Sequence, residues 1–182
     1  TTSSTQLGRL LGLTDAQVRK DLAYFGQFGY PGIGYRCTEL VQEIKCILGT
    51  NEAWPVALVG MGHLGQALIG YRGFEQQGFR IAVAFDIDPG KTNRSIHGIE
   101  VHHLDSLQQV VRELSLRLAI LAVPSSAAQQ VAEVVAAAGI DGILNFAPVT
   151  LTLPESVHRV GVDLAMELEQ LSFAVVNRAR KS

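Results

Sequence analysis

Apolar residues recur at helical spacing from the start of the chain. Residues 3–12 predict a serine-capped helix that ends at a glycine. Thr14 or Asp15 caps a second predicted helix, in which Val18 and Leu22 share the buried side. Two short helices joined by a few residues that include glycine predict a helix-turn-helix.

The segment after the second helix is rich in glycine and aromatic residues. Residues 25–35 contain four glycines among aromatic side chains, a composition typical of a hairpin or wing rather than of a helix. Residues 38–49 return to helical spacing, and 50–55 are the predicted linker. Residues 1–50 therefore form a first predicted domain.

Short apolar runs alternate with helical patterns from residue 56 onward, which is typical of βαβ units around a parallel sheet. Predicted strands cover 56–59, 80–85, 118–123, 142–147 and 158–163. Predicted helices cover 63–72, 105–116 and 125–138. The pattern predicts an α/β chain whose second domain, 55–161, is a Rossmann-like doubly wound parallel sheet.

The last predicted element is an amphipathic helix that follows the completed sheet. Its apolar stripe within 163–176 consists of Leu164, Leu168, Leu171 and Val175. An apolar stripe outside the sheet needs a partner surface, so residues 162–182 form a separate C-terminal segment.

Composition narrows the class of protein. Of 182 residues, 47% are hydrophobic and 18% are charged, and the net charge is −2. This favours a folded chain and argues against a generally basic coat for nucleic acid. No apolar run approaches the roughly 20 residues of a membrane span, and no signal peptide is visible. Because the first residue is Thr1 rather than methionine, the natural N-terminus is expected to lie upstream.

Cysteine usage favours the cytoplasm. Cys37 and Cys46 are too few and too isolated for a disulfide framework or a zinc cluster. We expect both to be small, buried or half-buried apolar residues.

A glycine fingerprint follows the first strand of the second domain. The segment Gly60, Met61, Gly62, His63, Leu64 and Gly65 has the spacing G-x-G-x-x-G. Gly60 permits a tight turn, Gly62 lets the backbone approach a pyrophosphate, and Gly65 lets the helix lie close to the strand. The alternative is a glycine-rich turn without a ligand.

Asp86 ends the next strand, 21 residues after Gly65, where a carboxylate binds the ribose hydroxyls of a dinucleotide. An acid here disfavours a 2′-phosphate, so NAD(H) is preferred to NADP(H), although Lys91 and Arg94 weaken that inference. The alternative is that Asp86 forms a strand-end turn with Asp88 and Pro89.

Two further segments follow strands at the same predicted sheet edge, where ligands of such sheets bind. Ala122, Val123 and Pro124 precede a helix, and an ordinary helix cap explains them equally well. Asn145, Phe146, Ala147 and Pro148 follow the next strand and are candidates to line the nicotinamide side, with a strand end stopped by proline as the alternative.

The second helix is a candidate recognition helix for DNA. Gln17, Arg19, Lys20 and Tyr24 offer a polar donor, two cations and a phenol for bases and phosphates. A solvated helix face is the alternative.

No metal site or catalytic group is expected. His102 and His103 are adjacent, so their rings point to opposite faces of a strand. No serine, cysteine or histidine has flanking residues that mark a nucleophile with its base, so no catalytic residue is assigned.

The chain resembles Rex, the bacterial family of NADH-responsive transcriptional repressors, over nearly its whole length. The stretches that carry the resemblance are Gln17-Val-Arg-Lys-Asp-Leu-Ala-Tyr-Phe-Gly26, Gly32-Ile-Gly-Tyr35, Val59-Gly-Met-Gly-His-Leu-Gly65, Tyr71-Arg-Gly-Phe74 and Ile143-Leu-Asn-Phe-Ala-Pro148. The resemblance implies a winged helix joined to a Rossmann-like domain.

The resemblance also assigns roles to residues. It implies that Arg19, Lys20 and Tyr24 contact operator DNA, and that the wing with Tyr30 and Gly32 reaches the minor groove. It further implies a homodimer whose C-terminal helix is exchanged between protomers. Tyr71 and Asp163 match members of a switch network near the nicotinamide.

The sequence departs from the family pattern at two places. Pro31 stands where the wing of Rex proteins usually carries an arginine, which puts minor-groove contact in doubt. The family's first helix, upstream of Ser3, is not part of the given sequence, which is expected to weaken DNA binding and the switch network.

The sequence therefore predicts a redox-sensing repressor that binds operator double-stranded DNA as a homodimer and leaves it when NADH binds. Two alternatives stay open. A nicotinamide-dependent oxidoreductase has little sequence after residue 148 for a catalytic domain. A CoA-binding module fits the Ile143–Pro148 run, and Asp86 argues only weakly against it.

Overall fold

The computed structural model describes residues 1–179 and divides into two compact units. The first runs from Thr1 to Ala53, and the second begins at Trp54. The boundary falls inside the predicted linker, two residues before its end, because Trp54 and Pro55 already belong to the first strand of the second unit.

Three helices build the first unit: α1 (Ser4–Leu11), α2 (Asp15–Phe25) and α3 (Cys37–Ile47). Ser3 caps α1 by a reciprocal bond pair with Gln6, in which each backbone N–H donates to the other side chain, at 2.9 and 3.2 Å. Thr14 caps α2 by accepting from the backbone N–H of Gln17 at 3.1 Å. The predicted helix-turn-helix is present.

The predicted wing is a short hairpin. The backbone N–H of Tyr30 donates to the carbonyl of Gly34 at 2.8 Å, which closes a turn over Pro31 and Gly32. Tyr35 then exchanges two backbone hydrogen bonds with Thr2, each of 2.8 Å. The wing is thereby tied to the segment that leads into α1.

One expectation for the first unit is wrong. Cys37 and Cys46 are both exposed, because α3 buries only Leu40 of its eleven residues. Leu10 and Leu11 are also exposed, although they share a helix face with half-buried Leu7. Within the described residues this apolar face of α1 has little to pack against.

The second unit is a seven-stranded sheet with the order β3-β4-β2-β1-β5-β6-β7. Its strands are β1 (Trp54–Val59), β2 (Phe79–Asp86), β3 (Arg94–Ile96), β4 (Ile99–His103), β5 (Leu118–Leu121), β6 (Gly142–Asn145) and β7 (His158–Gly161). All neighbours are parallel except the edge pair β3–β4. The predicted doubly wound sheet is confirmed.

Helices connect these strands in chain order. They are α4 (His63–Ile69), α5 (Gly73–Gln76), α6 (Leu107–Glu113) and α7 (Ser125–Ala137), and α8 (Leu164–Ala179) follows the last strand. A single 3₁₀ turn, Leu104–Ser106, leads into α6. The predicted helix 63–72 is therefore interrupted after Ile69, and the predicted helix 105–116 is shorter at both ends.

Alternate residues of the inner strands β1 and β5 enter two apolar cores. One core joins Ala57, Val59 and Leu121 to the inner faces of α6 and α7. The other joins Val56, Leu58 and Ile120 to Leu68 of α4. Because successive strand residues point to opposite faces, the two cores lie on the two sides of one sheet. This arrangement leaves the strand ends free to form a site.

The C-terminal helix α8 keeps its apolar stripe in solvent. Leu164, Leu168, Leu171 and Val175 are all more than half exposed. Among the described residues no helix is long and apolar enough to cross a membrane.

Candidate nucleotide site and DNA-facing helix

Four parallel strands end at one edge of the sheet, and the fingerprint lies there. Val59 pairs with Phe85 on one side and with Leu121 on the other, and Leu121 pairs with Asn145. The predicted nucleotide segments after β1, β2, β5 and β6 therefore meet at the carboxyl edge, where such sheets bind ligands.

Gly60 makes the turn that leaves β1. Its φ is +101°, a conformation that residues with a side chain rarely adopt. A Cβ here would collide with the carbonyl oxygen of Ala122 and lie 2.9 Å from Val123 Cγ1. The absence of a side chain at Gly60 therefore lets Ala122 and Val123 lie against the turn. The glycine fingerprint and the segment after β5 are thus in contact.

Packing requires glycine at position 65 but not at position 62. A Cβ on Gly65, which lies inside α4, would collide with the carbonyl oxygen of Gly60, so this glycine lets α4 lie close to the turn. Gly62 has a φ of −73° and precedes α4, and a Cβ there would meet no atom within 4 Å. Neither strain nor packing within the described residues requires glycine at position 62.

Hydrogen bonds fix the side chain of Asp86 to the same turn. Only 8% of this residue is exposed. Its carboxylate accepts from the backbone N–H of Met61 at 2.7 Å and from the N–H of Asp88 at 2.9 Å, and Lys91 Nζ lies 3.4 Å away. Burial works to raise the pKa of Asp86, but the two backbone hydrogen bonds and the lysine charge outweigh it and hold that pKa below its ordinary value.

We predict that the acid stability of the protein depends on Asp86. A carboxyl group with a lowered pKa stabilises the fold while ionised, and this contribution is lost as the pH falls through that pKa. Asp86→Asn should lower the free energy of unfolding by about 1.5–3 kcal/mol at neutral pH, the value of hydrogen bonds to a charged group. Urea unfolding at several pH values measures this. The difference in free energy of unfolding between Asp86→Asn and wild type should shrink as the pH falls below the ordinary aspartate pKa.

The exposed carboxylate Glu155 offers a matched control for that measurement. Glu155→Gln should stay within about 0.5 kcal/mol of wild type, as surface substitutions usually do. A gap between Asp86→Asn and wild type that is independent of pH would contradict the prediction.

Asn145 is buried and holds its own loop. Its amide donates to the carbonyl oxygens of Ala147 and Val149, each at 3.0 Å, and its side-chain oxygen accepts from the N–H of Ala147. The side chain thus shapes the turn that carries Phe146, Ala147 and Pro148.

The two predicted switch residues line different cavities. Tyr71 lies on an apolar groove of about 530 Å³ beside Phe74 and Phe79. Asp163 lines a cavity of about 390 Å³ and caps α8 by accepting from the N–H groups of Ala165 and Met166. Within one chain the structure does not bring them together.

In the first unit, α2 presents the four candidate DNA contacts to solvent. Gln17, Arg19, Lys20 and Tyr24 are exposed, opposite buried Val18. Arg19 Nη1 donates to Asp15 Oδ2 at 2.7 Å and to Ser4 Oγ at 3.1 Å. The hydrogen bond and charge of Arg19 also hold the pKa of Asp15 below its ordinary value. This pairing was not predicted, although the four-residue spacing of Asp15 and Arg19 signals it.

Arg36, which precedes α3, and Glu39 of α3 hold the wing. The guanidinium of Arg36 lies over the ring of Tyr30, 4.7 Å from its centre, and donates to Glu39 at 2.9 Å. The Tyr30 hydroxyl donates to the same carboxylate at 3.2 Å. Gly32 sits at the turn with a φ of +72°. Arg36 and Glu39 thus position the wing, and neither was predicted to do so.

The histidines of β4 have neighbouring acids. His102 lies 3.3 Å from Glu100, and His103 lies 3.1 Å from Asp105 and 3.2 Å from the carbonyl oxygen of Ile87. Residues 1–179 contain no group of three histidine, cysteine, aspartate or glutamate residues arranged for a metal ion.

Comparison with known proteins identifies the family. A family model described as CoA binding domain matches residues 51–149. The redox-sensing transcriptional repressor Rex of Syntrophobacter fumaroxidans is 44% identical over 94% of this chain and 82% of its own length. The Rex repressor of Rhodopirellula baltica is 47% identical over 97% and 75%. The chain belongs to the Rex family.

Solved Rex structures confirm the fold class and the predicted family. RSP, a Rex-family repressor, has been solved in complex with β-NAD⁺ and operator DNA; it matches with a TM-score of 0.91 at 33% identity, over 98% of this chain and 82% of that one. The complex of RSP with β-NADH matches with a TM-score of 0.82 at 31% identity, over 98% and 83%. These Rex relatives are named as repressors, not as enzymes, which disfavours the oxidoreductase alternative.

Proposed function

We propose that this protein is a redox-sensing repressor that binds operator DNA as a homodimer and leaves it when NADH binds. In this proposal residues 1–50 read DNA, residues 55–161 bind the dinucleotide, and residues 162–182 join two protomers. The observation that carries it is the turn Gly60–Gly65 fixed to Asp86 at the sheet edge, in a chain whose relatives are Rex repressors. Such a repressor works in the cytoplasm.

The residues at the edge fit a dinucleotide. The position of Gly62 is open, so a pyrophosphate has room to approach the backbone there. Asp86, kept ionised by its neighbours, is the expected partner of the ribose hydroxyls. Bound NAD(H) supplies the redox signal through the charge of its nicotinamide ring. The segments Ala122–Pro124 and Asn145–Pro148 would flank that ring's side of the site.

Release from DNA is a shift between two arrangements of the protomers. NADH can move that equilibrium only by binding one arrangement more tightly than the other. Tyr71 and Asp163, which line separate cavities within one chain, are proposed to act together across the dimer. NAD⁺ would occupy the same site but favour the released arrangement much less than NADH does.

An operator-retention assay tests the proposal. Fluorescence anisotropy should follow a labelled duplex, selected from a random library, as each nucleotide is added to the dimer. NADH should release the duplex at a concentration at least about tenfold below that of NAD⁺. Equal release by the two nucleotides, or none by NADH, would end the proposal.

The stripe on α8 is proposed to be the dimer contact. Leu168 is 67% exposed in the single chain, and burying it against a partner contributes about 1.5–3 kcal/mol. Leu168→Asp would bury an unpaired carboxylate at that contact, so we predict that the dimer dissociation constant rises at least about a hundredfold. Sedimentation analysis over a range of protein concentrations measures this constant.

Gln170 supplies the matched control on the same helix. It lies two positions beyond Leu168, on the opposite face of α8. Gln170→Asp should leave the dimer unchanged, although it introduces the same charge. Equal dissociation constants for the two variants would place the contact elsewhere.

CoA binding is a second candidate, supported by the family model matched at residues 51–149. CoA and NADH both contain an adenosine diphosphate, so the glycine turn suits either. CoA carries a 3′-phosphate on its ribose, which the ionised Asp86 would repel. Calorimetry with CoA and with NADH separates the two functions, and tighter binding of CoA would favour the second candidate.

A further inference from the structure

The segment Tyr71–Phe74 follows α4 and leads into α5, at the end of α4 that lies away from the glycine turn. Helix α4 begins directly after Gly62 and ends at Ile69, and Gly73 opens α5. The backbone N–H of Tyr71 donates to the carbonyl of Leu68 at 3.1 Å. One short, rigid helix therefore separates the glycine turn from Tyr71, by about 10 Å at 1.5 Å per residue.

The ring of Tyr71 lies directly on Gly73. A Cβ at position 73 would be 2.5 Å from both Cε1 and the hydroxyl oxygen of Tyr71, closer than real Cβ atoms come to a neighbour. Gly73 is not among the glycines with positive φ, so the backbone does not require glycine here. Glycine is required at position 73 because the Tyr71 ring fills the space that a side chain would need.

Phe74 holds the other side of that ring. Its ring meets Tyr71 edge to face, with centres 5.1 Å apart and planes at 85°. The Tyr71 residue remains 58% exposed, and its hydroxyl makes no hydrogen bond to any described residue. Gly73 and Phe74 fix the position of the ring. Its hydroxyl is available to a group of another molecule.

We propose that Gly73 is a positioning residue of the redox switch, because only a residue without a side chain lets the Tyr71 ring lie in this place. The inference rests on the proposed function, in which Tyr71 takes part in the response to NADH. In Gly73→Ala the ring must leave its position, and Tyr71 then no longer reports the redox form of the dinucleotide.

Gly70 provides a control with the same substitution on the same segment. A Cβ on Gly70 would lie 3.7 Å from the nearest atom, the carbonyl oxygen of Ala67, and its φ of −81° suits alanine. The ratio between the NAD⁺ and NADH concentrations that release half of the operator DNA should fall about five- to tenfold in Gly73→Ala. Gly70→Ala should keep the wild-type ratio.

A double-mutant cycle shows whether the effect passes through the ring. Tyr71→Ala removes the atoms that the new Cβ would meet, so adding Gly73→Ala to Tyr71→Ala should cause no further change. Phe74→Leu removes the edge-to-face contact without adding a Cβ, and should reduce the ratio in the same direction. This variant keeps the test open if Gly73→Ala does not fold.

Fluorine NMR gives a readout that is independent of DNA. With 3-fluorotyrosine incorporated, the resonance missing in Tyr71→Phe identifies residue 71, and it should move in Gly73→Ala but not in Gly70→Ala. An unmoved resonance, an unchanged ratio or additive effects in the cycle would overturn the inference. A wild-type protein that does not distinguish NADH from NAD⁺ would instead overturn the proposed function.

Discussion

Alanine in place of Gly62 should leave the protein folded and weaken NADH binding by about ten- to a hundredfold. The position has an ordinary φ of −73°, and no atom lies within 4 Å of the added Cβ, so the fold tolerates the methyl group. A pyrophosphate brought against this backbone would meet that methyl group. Losing one hydrogen bond to a charged group costs about 1.5–3 kcal/mol, which gives the expected factor.

Calorimetry with NADH and thermal unfolding together measure this effect. The melting temperature of Gly62→Ala should stay within about 2 °C of wild type, since no packing changes. Gly65→Ala is the contrasting variant, because its Cβ meets the carbonyl oxygen of Gly60 and must destabilise the turn itself. Unchanged NADH affinity in folded Gly62→Ala would move the nucleotide site away from this edge.

Removing the guanidinium of Arg19 should weaken operator binding by about ten- to a hundredfold. An arginine that reads a base edge contributes about 1–3 kcal/mol and specifies that base, so Arg19→Ala should also narrow the gap between operator and shuffled DNA. Asp15 and Ser4 already hold this side chain in place, which lowers the entropy that binding must remove.

Alanine variants of Lys20 and Lys45 separate the loss of a phosphate contact from a change of charge alone. Lys20→Ala should weaken operator and shuffled DNA alike and lower the salt slope by about one, as loss of a phosphate contact does. Lys45, an exposed cation of α3 in the same unit, is the control for a change of charge alone. Wild-type affinity and specificity in Arg19→Ala would show that α2 is not the reading helix.

The elements that carry the site were predictable because they depend on local patterns. Strand β1, the glycine turn and Asp86 follow one another with a spacing that a dinucleotide fold requires. The exposed face of α2 likewise follows from helical periodicity. These patterns need no knowledge of distant contacts.

The β3–β4 hairpin was missed because its turn has an unusual residue. His97 and Gly98 both have positive φ, 50° and 81°, as a two-residue hairpin turn requires. Asparagine or aspartate before the glycine would have signalled that turn, whereas His-Gly is not one of the residue pairs that mark it. Three-residue β3 is also too short to show alternation.

The side-chain roles of Asn145 and Tyr71 depend on how the turns around them close. The amide of Asn145 satisfies its own loop, and the Tyr71 ring occupies the space above Gly73. Neither arrangement follows from the order of residues, because each is decided by how a turn closes. The sequence pattern placed Asn145 at the carboxyl end of a strand, as the structure has it, whereas Tyr71 was singled out only by the resemblance.

The exposed apolar stripe of α8 makes the thermal stability of the protein depend on its concentration. If its leucines, of which Leu168 is 67% exposed, are covered only by a second copy, then mass action favours the native state as the protein concentration rises. Dilution should therefore lower the unfolding midpoint. A cell that makes few copies would hold a repressor that is more fragile as well as scarcer.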